Sequence, residues 1–157
     1  MSVENLGSTT VAQIAILVRN IDEAAMKYAK ILGLPVPKII VTEPGLQTNM
    51  TFKGQSSNAQ AKLAFFQLGQ VQLELIEPMG GKSTWQDALD RKGEGFHHMA
   101  FWVEGMQKSV DFLKAKGIHM IHRGDMGEGQ YAYFDAEQEL GIILELLENK
   151  REARAIP

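Results

Sequence analysis

The chain has 157 residues, 45% of them hydrophobic and 22% charged, with a formal net charge of −3, which suits one domain with a real core and is too short for two ordinary ones. No basic stripe points to a nucleic-acid partner, no apolar run approaches the roughly 20 residues that cross a bilayer, and the polar start MSVENLGSTT lacks the order of a secretory signal. With no cysteine there are no disulfides, thiolate ligands or thiol nucleophiles, and the expectation is a soluble, cytoplasmic protein.

In chain order, the first element is the run Gln13-Ile-Ala-Ile-Leu-Val18, read as a strand. A helix follows over about 22–32, with Ala24, Ala25, Tyr28, Ile31 and Leu32 at helical spacing and Gly33 as its stop. Leu34 opens further strand-like chain, and 41–60 reads as an extended loop with one added strand. Val71-Gln-Leu-Glu-Leu-Ile-Glu77 is the next clear strand. The linker 80–95 contains Ser83-Thr-Trp-Gln86, a capping box that opens a short helix ended by Gly93. His98-Met-Ala-Phe-Trp-Val103 is a strand, and about 106–116 is a helix carrying Met106, Val110 and Leu113, stopped at Gly117. Ile118 reopens extended chain, and Ile142-Ile-Leu-Glu-Leu-Leu-Glu148 is the last strand before a charged tail, 149–157.

These elements repeat. The strand from Gln13 matches that from His98, each helix ends at a glycine, and the L-E-L strands align Glu74 with Glu145. Each copy reads βαβββ, which predicts an α+β domain over 9–148. Module one (9–79) and module two (96–148) pair into an open, eight-stranded cleft with the helices outside.

Side chains alternate across a strand. Ile14, Ile16 and Val18 share one face of the first strand, as do Met99, Phe101 and Val103 of its counterpart, and these faces suit packing under the helices. Gln13, Glu74, His98 and Glu145 then fall on the other face, where they converge if the non-helical faces line one cleft. A carboxylate among leucines is costly to bury unless something compensates, and a cation does so. One imidazole, two carboxylates and one amide oxygen are mostly hard donors, which suits a single divalent ion: Mg²⁺, Mn²⁺, Co²⁺, Ni²⁺ or Zn²⁺.

At these residues the chain resembles the vicinal oxygen chelate, or glyoxalase/bleomycin-resistance, superfamily, over nearly its whole length from Thr10 to Glu148. The resemblance implies paired βαβββ modules and places the metal ligands on Gln13, Glu74, His98 and Glu145. Leu75-Ile-Glu-Pro78, Ser83 and Lys92-Gly-Glu-Gly-Phe-His-His-Met-Ala-Phe101 are similar to methylmalonyl-CoA epimerases and their relatives. In that comparison His98 is the ligand, and His97 points to the opposite face in a structural role. Such epimerases carry His where this chain has Gln13, and an additional acidic base would fall near Leu63, where no carboxylate stands. The Gln/Glu/His/Glu set is also similar to that of some glyoxalase I enzymes, although the arginine that those place for glutathione is Leu17 here.

Both resemblances imply one chemistry: removal and return of an acidic proton beside a metal-polarised carbonyl. Glu145 is the expected base, with Glu74 as the alternative. The implied substrate is a small-molecule thioester, either an acyl-CoA or a glutathione adduct, and the implied assembly a homodimer. Lys53, Lys62, Lys82 and Arg123 are the cations placed to meet CoA phosphates, and His119 and His122 are candidates for the cleft rim. An Fe(II) dioxygenase built on two histidines and one carboxylate fits Gln13 and Glu74 poorly, and a non-catalytic binder would have no use for all four donors.

Overall fold

The computed structural model describes residues 4–149, so of the charged tail expected at 149–157 only Asn149 lies among the described residues. In chain order the elements are β1 Val11–Leu17, α1 Ile21–Leu32, β2 Ile40–Val41, β3 Thr51–Phe52, β4 Gln55–Ser56, β5 Gln60–Leu68, β6 Val71–Met79, α2 Thr84–Lys92, β7 Gly95–Trp102, α3 Met106–Ala115, β8 Met120–Met126, β9 Gly129–Ala136, α4 Glu137–Leu140 and β10 Ile142–Glu148. No helix among them is long and apolar enough to cross a membrane.

The strands form one mixed sheet, curled into an open half-barrel, in the order β2-β5-β6-β1-β7-β10-β9-β8-β3-β4. β1 and β7 pair antiparallel at its centre, and each pairs parallel on its other side with the last strand of its own half, β6 or β10. The α+β architecture of two βαβββ halves is therefore as expected. The sheet has ten strands rather than eight, because the surplus chain in 41–60 forms the β3–β4 hairpin. That hairpin leaves its own half and pairs with β8 of the other, Thr51 opposite Arg123 and Phe52 opposite His122.

Helix ends are set locally. Asn20 caps α1 by accepting from the Glu23 amide at 3.1 Å, and Gly33 closes it at φ 68, a left-handed conformation that glycine adopts without penalty. Ser83 caps α2 by accepting from the Gln86 amide at 3.0 Å.

The alternation sorts the core as the sequence implied. Ile14, Ile16, Val18, Leu73 and Leu75 pack under α1, and Met99, Phe101, Val103, Leu144 and Leu146 under α3. On the other face Ala15, Leu17, Ile76 and Ile143 pack with Trp85, Ala88 and Leu89 of α2. The linker helix thus lies inside the curve of the sheet and fills one end of the cleft, while α1 and α3 lie outside.

Candidate functional site

The sheet register brings the expected residues together. On β1, Ala15 lies directly between Glu74 of β6 and His98 of β7, and on β7, Ala100 lies between Gln13 of β1 and Glu145 of β10. Ala15 and Ala100 are wholly buried, and their small side chains leave the concave floor open to the longer ones around them. Glu74, Glu145 and Gln13 line one cavity of about 340 Å³, together with Leu63, Phe65, Trp85, Trp102, Tyr131 and Tyr133.

Glu74, His98 and Glu145 are buried and form a group able to hold a metal ion, their ligand atoms all within 4.8 Å of one another. His98 Nε2 lies 2.8 Å from Glu145 Oε2 and 3.5 Å from Glu74 Oε2. Ligand atoms ~2.0–2.2 Å from a shared ion sit roughly 3–4 Å apart, so the spacing fits one. All three atoms are buried with no properly oriented hydrogen-bond partner. They lie close enough together to share one ion. Buried unpaired polar atoms are rare because each costs free energy, and a cation between them would satisfy all three.

The electrostatics agree. Burial raises the Glu74 carboxyl above its ordinary value, opposed by His98 and reinforced by Glu145. Burial alone would lower His98, but Glu145 and then Glu74 raise it to about 9. Two buried carboxylates demand positive charge, and without a cation they draw a proton onto the imidazole. Gln13 sits at the edge of this group, its Nε2 donating to Gln72 Oε1, which leaves its own Oε1 as the remaining donor oxygen.

His97 does not point to the opposite face. β7 carries a bulge here: Ala15 faces His98, the next residue Ile16 faces Phe96, and His97 is the extra residue between. The bulge turns His97 to the same side as His98, where their Nδ1 atoms approach to 2.8 Å and His97 Nε2 lies 3.4 Å from Thr84 Oγ1. With His98 Nε2 as the ligand atom, His98 Nδ1–H donates to His97 Nδ1, and His97 Nε2–H faces Thr84. His97 is thus the residue that fixes the His98 ring and its tautomer. Burial, followed by the neighbouring His98, pushes His97 well below the ordinary histidine value, so it remains a neutral acceptor.

Neither rim candidate lines the cavity. His122 is buried behind the cleft wall, and His119 is exposed and not among the cavity-lining residues. Lys62 pairs with Glu77 at 3.5 Å and Arg123 with Asp125 at 2.7 Å, whereas Lys53 and Lys82 flank a separate surface pocket. Leu17 is buried under α2. Three residues that sequence reasoning passed over also line the cavity: Glu43, just beyond β2, and Tyr131 and Tyr133 on β9. The Tyr-Ala-Tyr alternation in a strand-like run was visible; nothing local marked Glu43.

Residues 12–134 match the Glyoxalase/Bleomycin resistance protein/Dioxygenase superfamily. The chain is 31% identical over 143 residues to the uncharacterized protein YqjC of Bacillus subtilis, covering 87% of this chain and 90% of that one. It is 30% identical over 122 residues to human mitochondrial methylmalonyl-CoA epimerase, covering 76% of this chain and 60% of that enzyme. A solved methylmalonyl-CoA epimerase in complex with methylmalonyl-CoA and NH4+ shares the fold at a TM-score of 0.63 and 21% identity, over 90% of this chain and 94% of that one. The chain belongs to the glyoxalase/bleomycin resistance/dioxygenase superfamily.

Proposed function

We propose that the chain is a metal-dependent isomerase that removes and returns the acidic proton beside a thioester carbonyl, in the manner of a methylmalonyl-CoA epimerase. The observation that carries this is the buried Glu74–His98–Glu145 group, with three unsatisfied ligand atoms, at the floor of a mostly apolar cavity. The likeness to methylmalonyl-CoA epimerases in sequence and fold supports the substrate class.

Gln13 Oε1, Glu74, His98 Nε2 and Glu145 are the groups that would hold the ion. A bound divalent cation would supply Lewis-acid polarisation of the carbonyl and balance the charge that develops as the proton leaves. Glu145 would take that proton, as a carboxylate that lines the cavity and belongs to the group that would hold the ion; Glu74 is the alternative. Epimerisation also requires a proton delivered from the other side. Glu43 belongs to the opposite half of the sheet from Glu145 and lines the same cavity, and this carboxylate fills the role for which Leu63 had offered none. Leu63, Phe65, Trp102 and Leu147 exclude water around the reacting carbon. Ranking acyl-CoA above glutathione adducts rests on Leu17, which is buried where a glutathione-binding arginine would stand.

The test is deuterium uptake from D₂O into methylmalonyl-CoA by metal-reconstituted protein, read by mass spectrometry. One deuterium per molecule at a metal-dependent rate is expected. Full metal occupancy with no exchange, together with isomerisation of the glutathione–methylglyoxal adduct, would replace this reading with a glyoxalase one.

A further inference from the structure

Tyr131 and Tyr133 alternate on β9, so both face the cavity that contains Glu74 and Glu145. Each hydroxyl oxygen receives a fixed N–H. Trp85 Nε1–H donates to Tyr133 Oη at 3.0 Å. His122 Nε2 lies 3.3 Å from Tyr131 Oη, and its tautomer is settled by the far side of the ring, where the Thr84 backbone amide approaches Nδ1 at 3.2 Å. A backbone amide only donates, so Nδ1 is the acceptor and the neutral ring carries its proton on Nε2, facing Tyr131. Burial keeps the ring neutral, pushing its pKa down to about 3.

A phenolic hydroxyl that accepts an in-plane N–H turns its own proton to the other side. Neither hydroxyl finds a protein acceptor among the described residues, so both protons are left to the cavity. A phenol is protonated at neutral pH, which makes both hydroxyls donors rather than bases. The placement is also built from behind. Tyr131 lies directly opposite Gly124 on β8, and a Cβ at Gly124 would come within 2.5 Å of Tyr131 Oη. The ring occupies space that any other residue would fill. No lysine or arginine lines the cavity, so apart from the proposed metal an anionic oxygen there relies on neutral donors such as these hydroxyls.

We infer that Tyr131 and Tyr133 are hydrogen-bond donors to the substrate oxygen that gains negative charge in the cleft, and that α2 holds them in the donating orientation through Trp85 and through Thr84 acting on His122. This rests on the proposed proton-removal chemistry, in which an anionic oxygen forms at the site. Tyr131 and Tyr133 touch substrate, whereas His122, Thr84 and Trp85 are positioning residues.

The experiment uses oxalate, a planar oxygen chelator, titrated calorimetrically into Co²⁺-loaded protein. Tyr131→Phe or Tyr133→Phe should weaken oxalate at least about tenfold, the usual worth of a hydrogen bond to a charged oxygen, with metal content unchanged and the melting temperature lowered only modestly by the buried N–H left without its acceptor. His122→Gln can keep an N–H toward Tyr131 and should retain more oxalate affinity than His122→Asn, which can accept from Thr84 but not reach Tyr131. Oxalate binding within twofold of wild type in both Phe variants would overturn the inference. Wild-type protein that takes up no metal would remove the reading on which it rests. Independently of metal, ¹⁵N NMR should show His122 as the Nε2–H tautomer, and an Nδ1–H ring would overturn the orientation.

Discussion

The two halves of the sheet share a plan and differ in chemistry. Strand β5 of the first half and β9 of the second occupy equivalent places: Phe65 pairs with Glu74 as Tyr133 pairs with Glu145, and Leu63 pairs with Ile76 as Tyr131 pairs with Leu147. At these positions one wall of the cleft is apolar and the other carries hydroxyls. The first strands differ similarly, with an amide at Gln13 and an imidazole at His98, and the bulge in β7 supplies His97. The common frame gathers Glu74, His98 and Glu145 within 4.8 Å, with Gln13 lining the same cavity, and in the proposed function the departures from symmetry would orient and activate a substrate. A pseudo-symmetric cleft with identical walls would hold an ion equally well and treat both faces of a planar intermediate alike.

Removing the asymmetric imidazole has the largest expected effect. His98→Ala should abolish stoichiometric metal uptake, measured by elemental analysis after dialysis against Co²⁺, and exchange activity should fall to background. Retained metal at one ion per chain would exclude His98 from the site. Glu145→Gln keeps an oxygen donor in the second half but removes its base. Exchange should fall about 10²–10⁴-fold while part of the metal remains, and near-normal exchange would move the base to Glu74.

His97→Phe tests the bulge, by deleting the ring that receives His98 Nδ1–H. Loss of such an orienting partner typically weakens metal binding about 10–100-fold, a change that competition with a chelator measures; unchanged affinity would reduce His97 to filling space. The smallest effect is in pH. Metal binding needs His98 neutral, and the metal-free group holds its proton up to about 9. Each ion bound between the ordinary histidine value and about 9 therefore releases a proton, and apparent affinity should rise about tenfold per pH unit and then level off. A flat response between pH 7 and 8.5 would mean that the carboxylates do not keep a proton on His98.

Much of this was legible in the sequence because it obeys a period. Alternation in Gln13–Val18 and His98–Val103 separated the helix-covered face from the cleft face, and the repeat then matched Glu74 to Glu145 without any knowledge of the sheet. The glycines at 33 and 93 marked helix ends for a local reason, and Ser83 with Gln86 marked the start of α2. What escaped depends on one-residue irregularities or on distant contacts. His97 was misplaced because a bulge inserts a single residue and flips a face, and no composition marks it. The β3–β4 hairpin pairs across to β8, a partner that two-residue strands cannot specify by themselves. α2 has an apolar stripe in Trp85, Ala88 and Leu89 that would suit either side of a sheet; only the curvature shows that it fills the cleft. Glu43 lies in irregular chain, where periodicity carries no information about which side chains reach the cavity.

The central claim is that both halves contribute two donors each to a single ion. Crystals of Co²⁺-loaded protein measured at the cobalt absorption edge test it most directly. One anomalous peak per chain is predicted, bonded at about 2.0–2.2 Å to Gln13 Oε1, a Glu74 oxygen, His98 Nε2 and a Glu145 oxygen. A peak held by residues of one half alone, or no peak in the cleft of metal-soaked crystals, would contradict it.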